Sequence, residues 1–148
     1  MSFTDIRYHI VFSTKGRRPF LTPELLSRIG EFIGGIIRDH RGGMLVAGGM
    51  PDHIHLATTT SPTVSMSDFL RAIKANSSRW VHETFGDLAT FAWQDGYAAF
   101  TVSPSVMPKV IEYIRHQPEH HRKMTFEEEL KALLDRHGIQ YDERYLLG

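Results

Sequence analysis

The chain has no cysteine among its 148 residues. That excludes a disulfide framework and a thiolate metal site, and leaves nothing that points to an oxidising compartment. No apolar run approaches the ~20 residues needed to span a bilayer, and the opening Met1-Ser2-Phe3-Thr4-Asp5 lacks the basic and apolar regions of a signal peptide. The expected location is therefore the cytoplasm, with no membrane partner. Net charge is missing too: 17 Lys+Arg balance 17 Asp+Glu, which excludes a protein that coats nucleic acid through bulk positive charge, though not one with a local basic site. The balance hides an asymmetry. Residues 1–82 hold ten Lys/Arg against six Asp/Glu, net +4, and residues 83–148 hold seven against eleven, net −4. The length is that of one domain with a real core and no room for a second catalytic domain.

Ile6, Tyr8, Ile10 and Phe12 alternate along the first segment, as in a strand with one buried face. A cationic turn follows, Lys15-Gly16-Arg17-Arg18-Pro19, of a kind that is usually just solvated. Thr22-Pro23-Glu24 starts a helix with an apolar stripe from Leu25 to Ile37, ended by Gly42-Gly43. Residues 44–50 and 54–60 read as two strands joined at Pro51-Asp52. A second helix is expected from about Asp68, capped by Ser67 and closed by Gly86. Residues 91–103 suggest two short strand segments around Asp95-Gly96. A third helix begins near Ser105 and ends at about Gln117, because Pro118 disfavours helical geometry before it. A fourth runs from Thr125, with capping-box spacing, to Gly138. The order predicts an α+β fold, a mostly antiparallel sheet with helices packed on it, close to the ferredoxin-like pattern.

The chemistry concentrates in Pro51-Asp52-His53-Ile54-His55-Leu56. On a strand His53 and His55 project from one side, roughly 7 Å apart, and can converge on a divalent cation while Ile54 and Leu56 anchor the other side. Two ligands do not close a metal site. On the third helix Tyr113 and Gln117, four apart, share the shoulder of an apolar stripe formed by Val106, Met107, Val110, Ile111 and Ile114. A tyrosine there usually just carries its hydroxyl to the surface, but the amide oxygen of Gln117 can complete a three-ligand site that leaves positions open for phosphate and water.

These residues carry a resemblance. His53-Ile54-His55 resembles the HUH motif, and Tyr113-x-x-x-Gln117 resembles the nucleophile helix of single-tyrosine HUH transposases of the insertion-sequence type, IS200-like and REP-associated. Trp93-Gln94-Asp95-Gly96-Tyr97 and Glu119-His120-His121-Arg122 look like that family as well. The resemblance implies a single HUH transposase domain over 1–148, of ferredoxin-like/RRM-like HUH fold, with 139–148 as a short tail. It implies a DNA transposase that cuts and rejoins single strands near hairpin ends. Tyr113 would be the nucleophile forming a 5′-phosphotyrosine; His53, His55 and Gln117 would be the ligands of Mg²⁺ or Mn²⁺. It implies a homodimer too, with active sites that can be shared between subunits; Ser103-Pro104-Ser105 before the helix is consistent with a hinge and equally with a plain strand-to-helix turn.

Other His-x-His proteins fit less well. A histidine-triad hydrolase would need a histidine at Ala57, and an amidohydrolase barrel needs roughly 250 residues. Two alternatives stay open: an HUH replication or relaxase-type nickase, and a domesticated hairpin-DNA-binding relative without transposition. Lys15, Arg17, Arg18, Lys74 and Arg79 are the candidate DNA contacts, through the backbone. Arg71, Lys74 and Ser78 share one helix face that could grip phosphates, although such a row is more often only solvated. Lys109, one turn before Tyr113, could favour the phenolate if it points inward. His120-His121, being adjacent, read as surface or nucleic-acid contacts.

Overall fold

The structure is a computed structural model that describes residues 1–146. The chain runs β1 (Arg7–Ser13), α1 (Pro23–Asp39), β2 (Gly43–Met50), β3 (His53–Thr59), α2 (Met66–Thr84), β4 (Ala98–Thr101), α3 (Met107–Arg115), α4 (Gln117–His120) and α5 (Phe126–Arg136). The strands form one antiparallel sheet in the order β2-β3-β1-β4. The β1-α1-β2-β3-α2-β4 path is the ferredoxin-like arrangement, and the α+β class expected from the order of elements is the one observed.

Register decides what each face carries. Val11 lies opposite His55, Ser13 opposite His53, and His9 opposite Ala57, so these side chains share one face; Ile10 opposite Leu56 and Phe12 opposite Ile54 share the other. On the second face Ile10, Phe12, Ile54 and Leu56 pack with Ile29, Ile33 and Ile37 of α1 and Phe69, Leu70, Ile73 and Val81 of α2. The first face is buried as well, a correction to the single buried face expected of β1. Val11 and Phe100 pack with Phe126, Leu130, Leu133 and Leu134 of α5, and Ala57 with Met107 and Ile114 of α3. An alternating strand shows only its apolar side in sequence, and helices from far along the chain cover the other.

Several boundaries move for local reasons. Ser65, not Ser67, caps α2, its hydroxyl accepting the Asp68 amide at 3.2 Å. At the end of α1, Arg41 takes the left-handed conformation (φ 63) and Gly43 already belongs to β2. The third helix is divided: α3 stops at Arg115, His116 leaves helical geometry (φ −105, ψ 27), and Gln117-Pro118 opens α4. Pro118 has no amide hydrogen and its ring would crowd the Ile114 carbonyl, so the break falls there. Residues 91–103 give one strand, β4, plus a single bridge between Thr14 and Trp93. The intervening loop is held instead by side chains: Gln94 Oε1 accepts the Ser13 amide at 2.6 Å and Trp93 Nε1 donates to Ser77 Oγ at 2.9 Å. Of the expected tail, 139–148, Tyr141 and Leu146 pack against the α5 side of the sheet, and residues 147–148 lie outside the described residues. Among the described residues no helix is long and apolar enough to cross a membrane.

Candidate active site

The Pro51-Asp52 turn starts β3 at His53, so both histidines open the strand that pairs with β1 and β2. α3 crosses this face close to β2. A Cβ on Gly48, which sits opposite His55, would lie 2.6 Å from the Ile114 carbonyl oxygen, so only glycine admits the helix at this depth. That approach brings the Tyr113 ring to 5.9 Å from the His55 ring, and carries Gln117 on α4 over His53.

The hub is a residue that spacing alone did not single out. Glu129 projects from α5, its side chain 1% exposed. Its Oε1 lies 3.0 Å from His55 Nε2, 3.3 Å from His53 Nε2 and 3.1 Å from His121 Nε2. Its Oε2 accepts the Tyr113 hydroxyl and, at 2.9 Å, the Gln117 amide. Gln117 Oε1 in turn lies 3.0 Å from His53 Nε2 and 3.1 Å from His121 Nε2. The four residues expected at the site, His53, His55, Tyr113 and Gln117, are thus brought together around one carboxylate. In sequence Glu129 stood out only as an acid on the apolar stripe of α5, between Phe126 and Leu130–Leu134.

The partners of the ring nitrogens were also hidden. His53 Nδ1 lies 2.7 Å from Asp52 Oδ1, and His55 Nδ1 2.8 Å from His9 Nε2. His9 sits on the face of β1 that the period-two reading left unassigned. His120 stacks on the Tyr113 ring at 4.4 Å, while His121 turns inward. Adjacent residues do diverge, but one of this pair is part of the cluster and is not a surface contact. Lys109 is exposed, and the partner of the Tyr113 hydroxyl is a carboxylate; the arrangement corrects the idea of a lysine favouring the phenolate.

Burial and pairing set the charges. Burial opposes the imidazolium of His53, yet the hydrogen bonds to Asp52 and Glu129 outweigh it and hold its pKa up at about 9. Burial lowers His55, and burial together with His55 lowers His9 to about 3, so His9 is neutral. Burial opposes ionisation of Glu129, but hydrogen bonds from His121, His53 and His55 keep it a carboxylate. Tyr113 is raised, by burial first and then by its bond to Glu129. In this arrangement Tyr113 is a phenol and needs activation to attack.

The donor set suits a divalent cation. The ligand atoms of His53, His55 and Glu129 lie within 4.8 Å of one another, and the group is one that could hold a metal ion. Gln117 adds an amide oxygen beside them. Imidazole nitrogens with their other nitrogen anchored, next to a carboxylate, are the usual make-up of a metal centre.

The basic residues divide into two groups. Lys15 and Arg17 form the turn after β1, with Gly16 and Arg17 both at positive φ (63 and 54), and Thr14 ties that turn to Asp52 through a 2.9 Å amide-to-carbonyl bond. Arg17 shares a groove of ≈ 620 Å³ with Asp52, His121, Arg122 and Lys123. Arg18 follows at the turn's end, its guanidinium over the Phe20 ring. Lys74 and Arg79 stand on α2, across the sheet from the histidines. The ammonium of Lys74 donates to the carbonyls of Gln94 (2.9 Å), Asp95 (3.3 Å) and Gly96, and burial lowers its pKa to about 8. That geometry binds a loop. Arg79 pairs with Asn76.

An antiparallel sheet that presents a buried His-x-His pair to an overlying tyrosine helix defines the class of protein. More narrowly, the family model described as "Transposase IS200 like" matches residues 2–117, and the chain belongs to the IS200-like transposase family. DNA transposition and DNA binding are the business of that family. The chain is 32% identical over 120 residues to the transposase of insertion sequence IS200 from Salmonella typhimurium, covering 78% of each. It is 25% identical over 118 residues to the ISDra2 transposase TnpA of Deinococcus radiodurans, covering 76% of this chain and 84% of that one. A solved structure assigned to a Deinococcus radiodurans transposase superposes with a TM-score of 0.65 at 25% identity, over 78% of this chain and 93% of the other. A REP-associated tyrosine transposase bound to a REP hairpin shares the fold, with a TM-score of 0.59 at 17% identity over 82% of this chain and 72% of the other.

Proposed function

We propose that residues 1–148 form a single HUH transposase domain that cleaves and rejoins single-stranded DNA near hairpin ends through a 5′-phosphotyrosine on Tyr113. The observation that carries this reading is the convergence of the Tyr113 hydroxyl, both histidines and Gln117 on one buried carboxylate, in a chain of the IS200-like family. His53, His55 and Gln117, with Glu129 beside them, would hold Mg²⁺ or Mn²⁺, which when bound polarises the scissile phosphate.

The protein's own residues do the rest. Tyr113 Oη gives up its proton and attacks phosphorus; the bond to the 3′-oxygen breaks, and that oxygen leaves as a 3′-hydroxyl after taking a proton. One phosphoester is exchanged for another. A second 3′-hydroxyl can then attack the phosphotyrosine and return the phenol, so joining needs no external energy source. Asp52 and His9 hold the two rings in place through their Nδ1 atoms. Arg17, which shares a groove with Asp52 and His121, would contact the DNA backbone, with Lys15 and Arg18 beside it in the same turn. Lys74 and Arg79 would do so only on the opposite face. The relative bound to a REP hairpin supports hairpin DNA as the partner. A homodimer with shared sites belongs to the same reading, although within this chain Tyr113 already lies beside its own histidines.

The test is denaturing electrophoresis after incubation with labelled single-stranded DNA bearing candidate hairpin ends, with Mg²⁺ or Mn²⁺, with chelator, and with Tyr113→Phe. A metal-dependent covalent adduct absent from Tyr113→Phe is expected. Hairpin binding without adduct on verified ends would favour the non-transposing relative, and nicked products without joined ones would favour the nickase.

A further inference from the structure

Three imidazoles, not two, turn a nitrogen to the Glu129 carboxylate; the ligand atoms of His53, His55 and Glu129 lie within 4.8 Å of one another, and His121 stands next to that group. Nε2 of His53, His55 and His121 all lie 3.0–3.3 Å from Glu129 Oε1. In each ring the other nitrogen is engaged elsewhere: by Asp52 at 2.7 Å, by His9 at 2.8 Å, and for His121 by the Met124 carbonyl at 2.9 Å. A ring fixed through Nδ1 presents Nε2 as its ligand nitrogen in a set direction. The side chain of His121 is 6% exposed, and its Nε2 also stands 3.1 Å from Gln117 Oε1. The sequence explains why it arrives there. His121 follows Gln117 by four residues across the short α4, which places both on one side of that turn. The family match ends at Gln117, so His121 lies beyond it.

We propose that His121 is a further ligand of the divalent cation, giving a three-imidazole set whose preference shifts from Mg²⁺ toward Mn²⁺, Co²⁺ and Zn²⁺. This rests on the metal-assisted reading above. Mg²⁺ favours oxygen donors and keeps several waters, whereas each added imidazole favours the later first-row ions.

Two measurements on the full chain test it. Calorimetric titration with Co²⁺ and with Mg²⁺ compares the unsubstituted protein with His121→Gln, which keeps similar size but swaps nitrogen for an oxygen donor, and with His53→Ala. Co²⁺ affinity should fall about tenfold or more in His121→Gln, with a smaller change for Mg²⁺, so the ratio of the two narrows. X-ray absorption on the unsubstituted protein loaded with Zn²⁺ should show three imidazoles, and this arm needs no variant to fold. An unchanged affinity ratio in His121→Gln, or two imidazoles at zinc, would overturn the ligand role while leaving the His53–His55 site standing, provided His53→Ala abolishes binding. Binding that survives His53→Ala undiminished would remove the metal site itself.

Discussion

On one face of the sheet Ile10, Phe12, Ile54 and Leu56 meet α1 and α2 in an apolar core; on the other, one residue further along the same strands, His9, His53 and His55 meet Tyr113, Gln117, His121 and Glu129 through nitrogen and oxygen. Both faces are buried. The apolar face is held by contacts that are individually weak, numerous and tolerant of rearrangement. The other face has apolar packing too, of Val11 and Phe100 on α5 and of Ala57 on α3, but its polar cluster depends on a few directional bonds, and each group removed leaves a buried partner with fewer of them. The same strands therefore supply stability on one side and reactivity on the other, and substitutions should separate the two.

The sharpest separation is Tyr113→Phe, which deletes a single oxygen. Strand cleavage should fall by on the order of 10³-fold or more, with only a small drop in melting temperature because Glu129 Oε2 keeps the Gln117 amide, as single-turnover assays beside thermal melts would show. Phe12→Ala on the opposite face should do the reverse: a loss of about 3–5 kcal/mol in denaturant unfolding, with activity per folded molecule retained. If Phe12→Ala cut the activity of the folded fraction as deeply as Tyr113→Phe, the division between the faces would fail. Gly48→Ala joins the two effects. Its Cβ would have to displace the Ile114 carbonyl, moving α3 by about 1 Å and lowering the cleavage rate by up to about 10²-fold, read against the affinity for DNA.

A pH series probes the polar face alone. His53 is held at about 9 against an ordinary 6.5, so the stability it adds to the metal-free protein is fully present below 6.5 and is lost as pH rises through 9. A metal must displace the proton from Nε2, so metal affinity should rise over the same interval. Thermal melts without metal and calorimetry with Mn²⁺ would show opposite trends. The smallest effect belongs to the rim. Arg17→Ala should weaken binding of single-stranded DNA a few-fold and reduce the salt dependence by about one charge, whereas Arg79→Ala, across the sheet, should change it less.

The contrast between the faces also explains what could be read from the residues alone. Ile10, Phe12 and the stripes of α1 and α2 repeat at the periods of strand and helix, so the apolar face and the α+β class were legible. His53-Ile54-His55 and Tyr113-x-x-x-Gln117 were visible because each fits within one element. Glu129, His121, His9 and Asp52 were not. Their roles arise when α5, the α4 turn, β1 and the hairpin meet in space, 46 residues separating His9 from His55 and 74 separating His55 from Glu129. A weak signal existed for three of them: Glu129 is an acid on an apolar stripe, His9 falls on the side of β1 that alternation left unexplained, and His121 stands in the run Glu119-His120-His121-Arg122. Lys74 shows the converse case: its place on a helix face is plain in the sequence, but the three loop carbonyls that its ammonium holds are not.

The most direct test of the polar face as a strand-transfer centre is to locate the covalent bond. The protein is incubated with metal and hairpin-ended single-stranded DNA, digested with protease and nuclease, and the peptides are examined by mass spectrometry. A 5′-phosphonucleotide on the peptide containing Tyr113, lost in the presence of chelator, is the predicted result. Joined DNA products formed with the modification on another residue, or with none, would contradict the account.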